Sequence, residues 1–227
     1  MWVKICANTN LDDAQMALDL GADAVGFVFA PSARRVTPEQ VGEITARLKG
    51  PGERVGVFHA LEFDTLRDTV RIAGLTGVQL HGEGDPELAG RLKAEFGPAL
   101  TIAQTLHWVV DHDVDGGNSA EQLLRKAAEI QAAGHVDRIL VDSKVGSALG
   151  GTGRTFDWNA AQKLFAESGL PMIVAGGLGP GNVTEAIERL KPWGVDVASG
   201  VEREPGEKDP ERLRQFIDRA RAAGESL

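Results

Sequence analysis

Residues 171–202, PMIVAGGLGPGNVTEAIERLKPWGVDVASGVE, read as two successive strand–turn units with a helix between them. Met172–Ala175 is a short apolar run of the kind buried in a parallel sheet, and it breaks at Gly176, Gly177 and Gly179. Val183, Ala186, Ile187 and Leu190 then fall at i, i+3, i+4 and i+7, which gives a helix with one apolar face. A second apolar run, Val195–Ala198, breaks in turn at Ser199-Gly200. Two neighbouring parallel strands that end in glycine turns present backbone N–H groups at one end of a sheet. Such groups hold a phosphate without needing a lysine. One glycine turn only permits a tight connection. A pair at the last two strands matches the place where (β/α)8 barrels bind phosphate, after strands seven and eight.

Upstream, the same alternation runs through the chain. Strands are expected at Trp2–Cys6, Ala24–Phe29, Arg54–Phe58, Gly77–Leu80, Leu100–Gln104 and Arg138–Val141. Helical segments follow at Leu11–Leu20, from Thr37 onward, and at Phe63–Ala73, Pro86–Phe96, Ser119–Ala133 and Asp157–Glu167. Thr37, Pro38 and Gln40 spell an N-cap, a first-turn proline and a capping box. Asp209-Pro210 starts a last helix that turns Leu213, Phe216, Ile217 and Ala220 inward. Two long loops interrupt the pattern, the acidic His107–Asn118 and the glycine-rich Ser143–Gly153. This pattern predicts an α/β chain, a single-domain (β/α)8 TIM barrel over residues 1–227. A doubly wound sheet would need a GxGxxG turn after the first strand, and here that strand ends in Cys6-Ala7-Asn8.

Composition agrees. The 227 residues are close to the ~250 typical of such barrels, and the 42% hydrophobic content supplies a full core. A formal net charge of −9 argues against a nucleic-acid or anionic-membrane partner. An anionic small molecule would have to be met locally, by backbone dipoles and a few arginines. The sole cysteine, Cys6, excludes an internal disulfide framework and fits a reducing cytoplasm. No apolar run approaches the ~20 residues of a membrane span, and the N-terminus enters a strand at once, so no signal peptide is expected.

In a barrel, chemistry belongs to the C-terminal ends of strands. That filter leaves Cys6, Arg34, Arg35, His59, His81, Gln104, Asp142 and the glycine turns with Ser199. Cys6 would work as a thiolate, with Lys4 or Arg34 supplying the positive charge that lowers its pKa. Asp142 would share its mouth, under the loop Ser143–Gly153. A thiol and a carboxyl facing each other across a phosphate-anchored sugar are the parts of an acid–base isomerase. His81 reads as a hydrogen-bonded pocket histidine, and Arg35 as a surface charge. The run His107, Asp111, His112, Asp113, Asp115 lacks the spacing of a known ligand set, so it reads as a solvated loop and no metal is expected. Trp108, Trp158 and Trp193 read as packing residues.

Ordered along the chain stand KICANTN, SARRVTPEQ, VGVF, VQLHGEGDP, ILVDSKVG…GGTGRTFDW, IVAGGLGPGNV and GVDVASGVEREPGEKD. Together they resemble the phosphoribosylanthranilate isomerases of tryptophan biosynthesis. The resemblance implies an Amadori rearrangement without a cofactor. It also implies Cys6 as general base, Asp142 as general acid, Arg34 against the anthranilate moiety, and Gly176-Gly177 and Ser199-Gly200 around the phosphate. His81 falls in the family's VQLHG block, at the substrate pocket. Ala7 departs from the family's glycine after the cysteine, and Val57-Phe58-His59-Ala60 departs from its VFVN. The related histidine-pathway isomerases would carry an aspartate where Cys6 stands. A catalytically dead barrel kept for ligand binding would not need the intact set Cys6, Arg34 and Asp142.

Overall fold

The computed structural model describes residues 1–59, 62–82, 86–109, 120–144 and 155–227. Eight parallel strands, β1 (Trp2–Ile5), β2 (Ala24–Val28), β3 (Glu53–Phe58), β4 (Gly77–Leu80), β5 (Thr101–Val109), β6 (Arg138–Lys144), β7 (Met172–Val174) and β8 (Gly194–Val197), pair in chain order and close β8 onto β1. The helices α1 (Leu11–Asp19), α2 (Pro38–Thr45), α3 (Phe63–Ile72), α4 (Pro86–Phe96), α5 (Ala120–Ala133), α6 (Trp158–Glu167), α7 (Val183–Leu190) and α8 (Pro210–Glu225) alternate with them. The expected (β/α)8 barrel is therefore the observed fold. Among the described residues no helix is long and apolar enough to cross a membrane.

Local chemistry sets these boundaries. The Thr37 side chain accepts from Gln40 N while the Gln40 side chain answers Thr37 N, a complete capping box. Asp157 and Asp209 each accept two first-turn amides at the starts of α6 and α8. The predicted faces are buried: Val183, Ala186, Ile187 and Leu190 on α7, and Leu213, Phe216, Ile217 and Ala220 on α8.

The structure departs from the sequence reading at three places. β5 runs on to Val109 and β6 to Lys144, pairing His107 with Asp142 and Trp108 with Ser143. His107 and Asp142 are thus strand residues. Their polarity looked like the start of a loop, but Leu106 and Trp108 are buried and keep the alternation of a strand. A short hairpin, β9 (Glu202–Glu204) with β10 (Glu207–Lys208), follows β8 and was not foreseen. Most of the loops His107–Asn118 and Ser143–Gly153, including Asp111, His112, Asp113 and Asp115, lies outside the described residues.

Inside the barrel the strand alternation stacks polar groups where branched apolar residues usually sit. Low in the barrel, Arg138 packs on Trp2 and Trp193 at 4.9 and 4.5 Å and pairs with Glu53. Above it lies Lys4, bonded to Asp196 and Gln79 at 2.9 Å each. Cys6 comes next, and after it the chain turns through Ala7 at φ +62°. This explains the family's glycine at that position: the left-handed region costs an L-residue ~1–2 kcal/mol. Ala7 is buried, however, and losing its methyl costs ~0.8 kcal/mol, with ~0.5–1 kcal/mol more for glycine's chain freedom. The terms nearly cancel. Ala7→Gly is therefore expected to change unfolding stability in urea by less than ~0.5 kcal/mol, whereas β-branched Ala7→Val should cost several times that. A loss above ~1.5 kcal/mol in Ala7→Gly would show that the turn is not strained.

Candidate active site

The C-terminal mouth of the barrel opens into a cleft. Cys6, Arg34, His81, Asp142, Gly176, Gly177 and Ser199 all line it, and Gly200 lines an adjoining hollow with Gly177 and Ser199. The residues to which the resemblance gives a role, with His81, are therefore brought together at one mouth. Arg35 is exposed and is not among the lining residues. Gln104 is buried in backbone hydrogen bonds to Leu80, Gly82 and Thr105, so it braces the rim.

Absent side chains shape this cleft. A Cβ at Gly26 on β2 would lie 2.7 Å from Cys6 Sγ and 2.9 Å from Lys4 Cε, so glycine leaves room for the thiol beside the lysine. A Cβ at Gly176 would meet Asp142 Oδ1 at 2.7 Å and Ser143 N at 2.4 Å. A Cβ at Gly200 would meet the Leu178 carbonyl oxygen at 1.9 Å, because the two glycine turns abut. Asn182 clamps the first turn, accepting from Gly179 N at 2.8 Å and donating to the Gly177 carbonyl at 3.0 Å. Gly176 and Gly177 have φ of +81° and +67°, so this turn needs glycine for its backbone as well as for space.

Electrostatics separate the two candidate proton carriers. Burial, then the nearby charge of Asp196, pushes the Asp142 carboxyl up to about 7, against the pull of Lys4 and a bond from Ser143 N. The Cys6 thiol is also pushed up. Burial outweighs the lowering effect of Lys4 and Lys208, and Asp196 adds to the rise. The sequence reading expected positive charge to lower the thiol. Lys4 does lie beside it, but the buried setting wins, and Arg34 is committed elsewhere. Its Nε and Nη2 grip the Glu202 carboxylate at 2.6–3.0 Å, leaving the Nη1 edge for a ligand.

His81, His107 and Asp142 form the one ligand-like cluster among the described residues, with one potential donor atom from each within 4.8 Å of the others. Hydrogen bonding orients it differently. Lys4 can only donate, so Gln79 Oε1 accepts from it, and Gln79 Nε2 faces His81 Nδ1 at 3.5 Å. His81 Nε2 lies 3.9 Å from Asp142 Oδ2. His107 Nε2 is engaged with the His81 carbonyl at 2.8 Å. A metal would have to displace these contacts.

Comparison with known proteins narrows the chemistry. Residues 3–219 match the family described as N-(5'phosphoribosyl)anthranilate (PRA) isomerase. The N-(5'-phosphoribosyl)anthranilate isomerase of Desulforudis audaxviator is 39% identical over 221 residues, covering 97% of this chain and 98% of the relative. The chain belongs to the phosphoribosylanthranilate isomerase family. The Geotalea uraniireducens enzyme of the same name is 40% identical over 220 residues, covering 96% of this chain and 98% of its own. The crystal structure of phosphoribosyl anthranilate isomerase from Thermotoga maritima superposes with a TM-score of 0.82 at 35% identity, over 98% of this chain and 99% of that one. A phosphoribosyl anthranilate isomerase solved with reduced 1-(o-carboxyphenylamino)-1-deoxyribulose 5-phosphate gives a TM-score of 0.80 at 32% identity, with the same coverage.

Several residues escaped the sequence reading: Gln79 and Asp196, which line the cleft, and Glu202 and Lys208 behind it. Asp196 alone carried a local signal, as a charge inside the apolar run Val195–Ala198. Its Oδ1 is buried and accepts no hydrogen bond from the described residues, while its Oδ2 is paired with Lys4, and its charge adds to the upward push of burial on Asp142. This has a consequence for stability. With a native pKa of about 7 and an unfolded one of ~3.9, the native state holds a proton that the unfolded chain gives up. Stability is therefore lost as pH rises from ~4 to ~7 and is flat above. Asp142→Asn removes that loss, so its stability relative to the parent should rise by up to ~4 kcal/mol between pH 4 and pH 8 in urea unfolding. An unchanged difference across that range would refute the burial argument.

Proposed function

We propose that this barrel converts N-(5'-phosphoribosyl)anthranilate into 1-(2-carboxyphenylamino)-1-deoxyribulose 5-phosphate, in the cytoplasm and as part of tryptophan biosynthesis. Membership of the family supports the reaction. The observation that carries the residue roles is that a thiol and a carboxyl of raised pKa share a cleft edged by two abutting glycine turns. The sugar phosphate binds the amides of Gly176-Gly177 and Ser199-Gly200, where no side chain intervenes. Arg34 receives the anthranilate carboxylate on its Nη1 edge. His81 closes the pocket beside Asp142.

Asp142 gives its proton to the furanose ring oxygen, the C1–O bond breaks, and the anthranilate nitrogen takes up the double bond to C1. Cys6, as thiolate, then removes the proton from C2. The C2–H electron pair becomes a C1–C2 double bond, and the nitrogen recovers its lone pair. The resulting enolamine tautomerises to the ketose. No electrons leave the substrate, so no redox cofactor is called for.

A carboxyl at about 7 beneath a thiol of still higher pKa means that the working pair, protonated acid with ionised base, is a minor form. It shares its total proton count with the dominant form, so its fraction is constant between the two pKa values. The profile of kcat/KM is then expected to rise as pH climbs through about 7 and to fall again through the thiol's pKa. A profile flat from pH 5 to 8 would contradict these roles.

Substitution tests the same roles by the fluorescence of phosphoribosylanthranilate. Cys6→Ala and Asp142→Asn should each lower kcat by about 10²–10⁴-fold with modest change in KM. Gly176→Ala should lower kcat by displacing Asp142, because its Cβ has nowhere else to go. Wild-type turnover in folded Cys6→Ala would exclude the thiol as base.

A further inference from the structure

Behind the cleft Glu202 and Lys208 are packed together out of water, against the partly exposed Arg34 at its edge. Glu202, with 4% of its side chain exposed, accepts from Arg34 on one side and from Lys208 Nζ at 3.1 Å on the other. Lys208, whose side chain is fully buried, also donates to the Cys6 carbonyl at 2.5 Å. Its backbone N–H is pinned to Asp13 Oδ2 at 3.0 Å, at the start of α1. Burial alone would push the Glu202 carboxyl up, but the bonds and charges of Arg34 and Lys208 hold it below its ordinary value. Lys208 is pulled the other way: burial lowers it, and Glu202 only partly restores it.

Such a cluster is costly to bury, and apolar residues of the same volume would stabilise a barrel rim at least as well. Its geometry is the more informative property. The contacts run from Arg34, beyond β2, through Glu202 and Lys208 on the β9–β10 hairpin, to the peptide of Cys6 beyond β1. Glu202 stands just past the Ser199-Gly200 turn, so the hairpin is tied to the phosphate end as well. The Cys6 carbonyl precedes the left-handed Ala7, and a strained turn persists only where its surroundings fix it.

Building on the acid–base reading above, we propose that Glu202 and Lys208 are positioning residues for the isomerisation. The Arg34–Glu202–Lys208 triad sets the guanidinium that receives the substrate carboxylate at a fixed distance from the peptide that carries the thiol. Neither Glu202 nor Lys208 touches the reacting atoms. Glu202 acts through Arg34. Lys208 acts through the Cys6 peptide and as one of the charges around the thiol, with Lys4 of β1 and Asp196 of β8 as the others.

The test is a double-variant cycle with phosphoribosylanthranilate, run beside alkylation of Cys6 by iodoacetamide across pH. Glu202→Gln keeps the volume and is expected to raise KM about 10-fold with kcat within about threefold. Combined with Arg34→Ala it should be no more than about twofold worse than Arg34→Ala alone, because both remove one function. Lys208→Met should lower kcat about 10-fold and move the pH midpoint of alkylation upward, and Lys208→Arg should move it back. Losses that multiply in the cycle, an unchanged KM in Glu202→Gln, or an unmoved alkylation midpoint in Lys208→Met would each overturn the proposal. Should Lys208→Met fail to fold, the Arg34/Glu202 cycle decides alone. If the wild-type protein does not turn over phosphoribosylanthranilate, the functional reading fails, while the alkylation arm, which needs no substrate, still decides the role of Lys208.

Discussion

The Lys4–Asp196 ion pair, 2.9 Å long and buried inside the barrel, is the constraint on which the site depends. It spans the seam where β8 closes on β1, with Lys4 and Asp196 as register partners. A buried ammonium must be paired, so closure of the barrel and placement of this charge are one event. Its second bond orients the Gln79 amide, the amide faces the His81 ring, and His81 faces Asp142. Asp196, held by the same pair, adds to the upward shift that burial gives Asp142. One buried lysine thus ties Gln79 on β4 to Asp196 on β8, and through them reaches the surroundings of His81 and Asp142.

Burial, more than neighbouring charge, decides the proton chemistry of the mouth. It is the leading cause of the upward shift at both Cys6 and Asp142, although Lys4 opposes it at each. For the carboxyl this serves an acid that must arrive protonated near neutrality. For the thiol it works against the base. A reaction through a minor ionic form follows, and the closely packed cations Lys4 and Lys208 limit how minor that form is. The glycines belong to the same economy of space: Gly26 admits the thiol, Gly176 the carboxyl, and Gly200 the neighbouring turn.

The barrel and the mouth residues were legible because their signals are local. The capping box at Thr37, the apolar face of α7, the N-cap at Asp209 and each of the two glycine turns lie within a dozen or so residues. Its position at the C-terminal end of the first strand likewise placed Cys6 at the cleft. The supporting set was not legible, because each contact joins distant parts of the chain: Lys4 to Gln79, Arg34 to Glu202, Cys6 to Lys208. These pairs exist only once the ring of strands closes. The extension of β5 through His107 was missed for a different reason. In this barrel the interior is polar, so an inward histidine looks like solvent exposure when read along the chain alone.

The central claim is that burial at the barrel mouth raises the Asp142 carboxyl to about 7 beside a thiol. Carbon-13 NMR of the protein labelled at the aspartate carboxyl carbons, with Asp142→Asn used to assign the resonance, measures that state directly. The account predicts that the Asp142 resonance titrates at about 7, well above the other carboxylates. A midpoint near the ordinary ~4 would mean that the site does not exclude water as described, and the acid would have to be sought elsewhere.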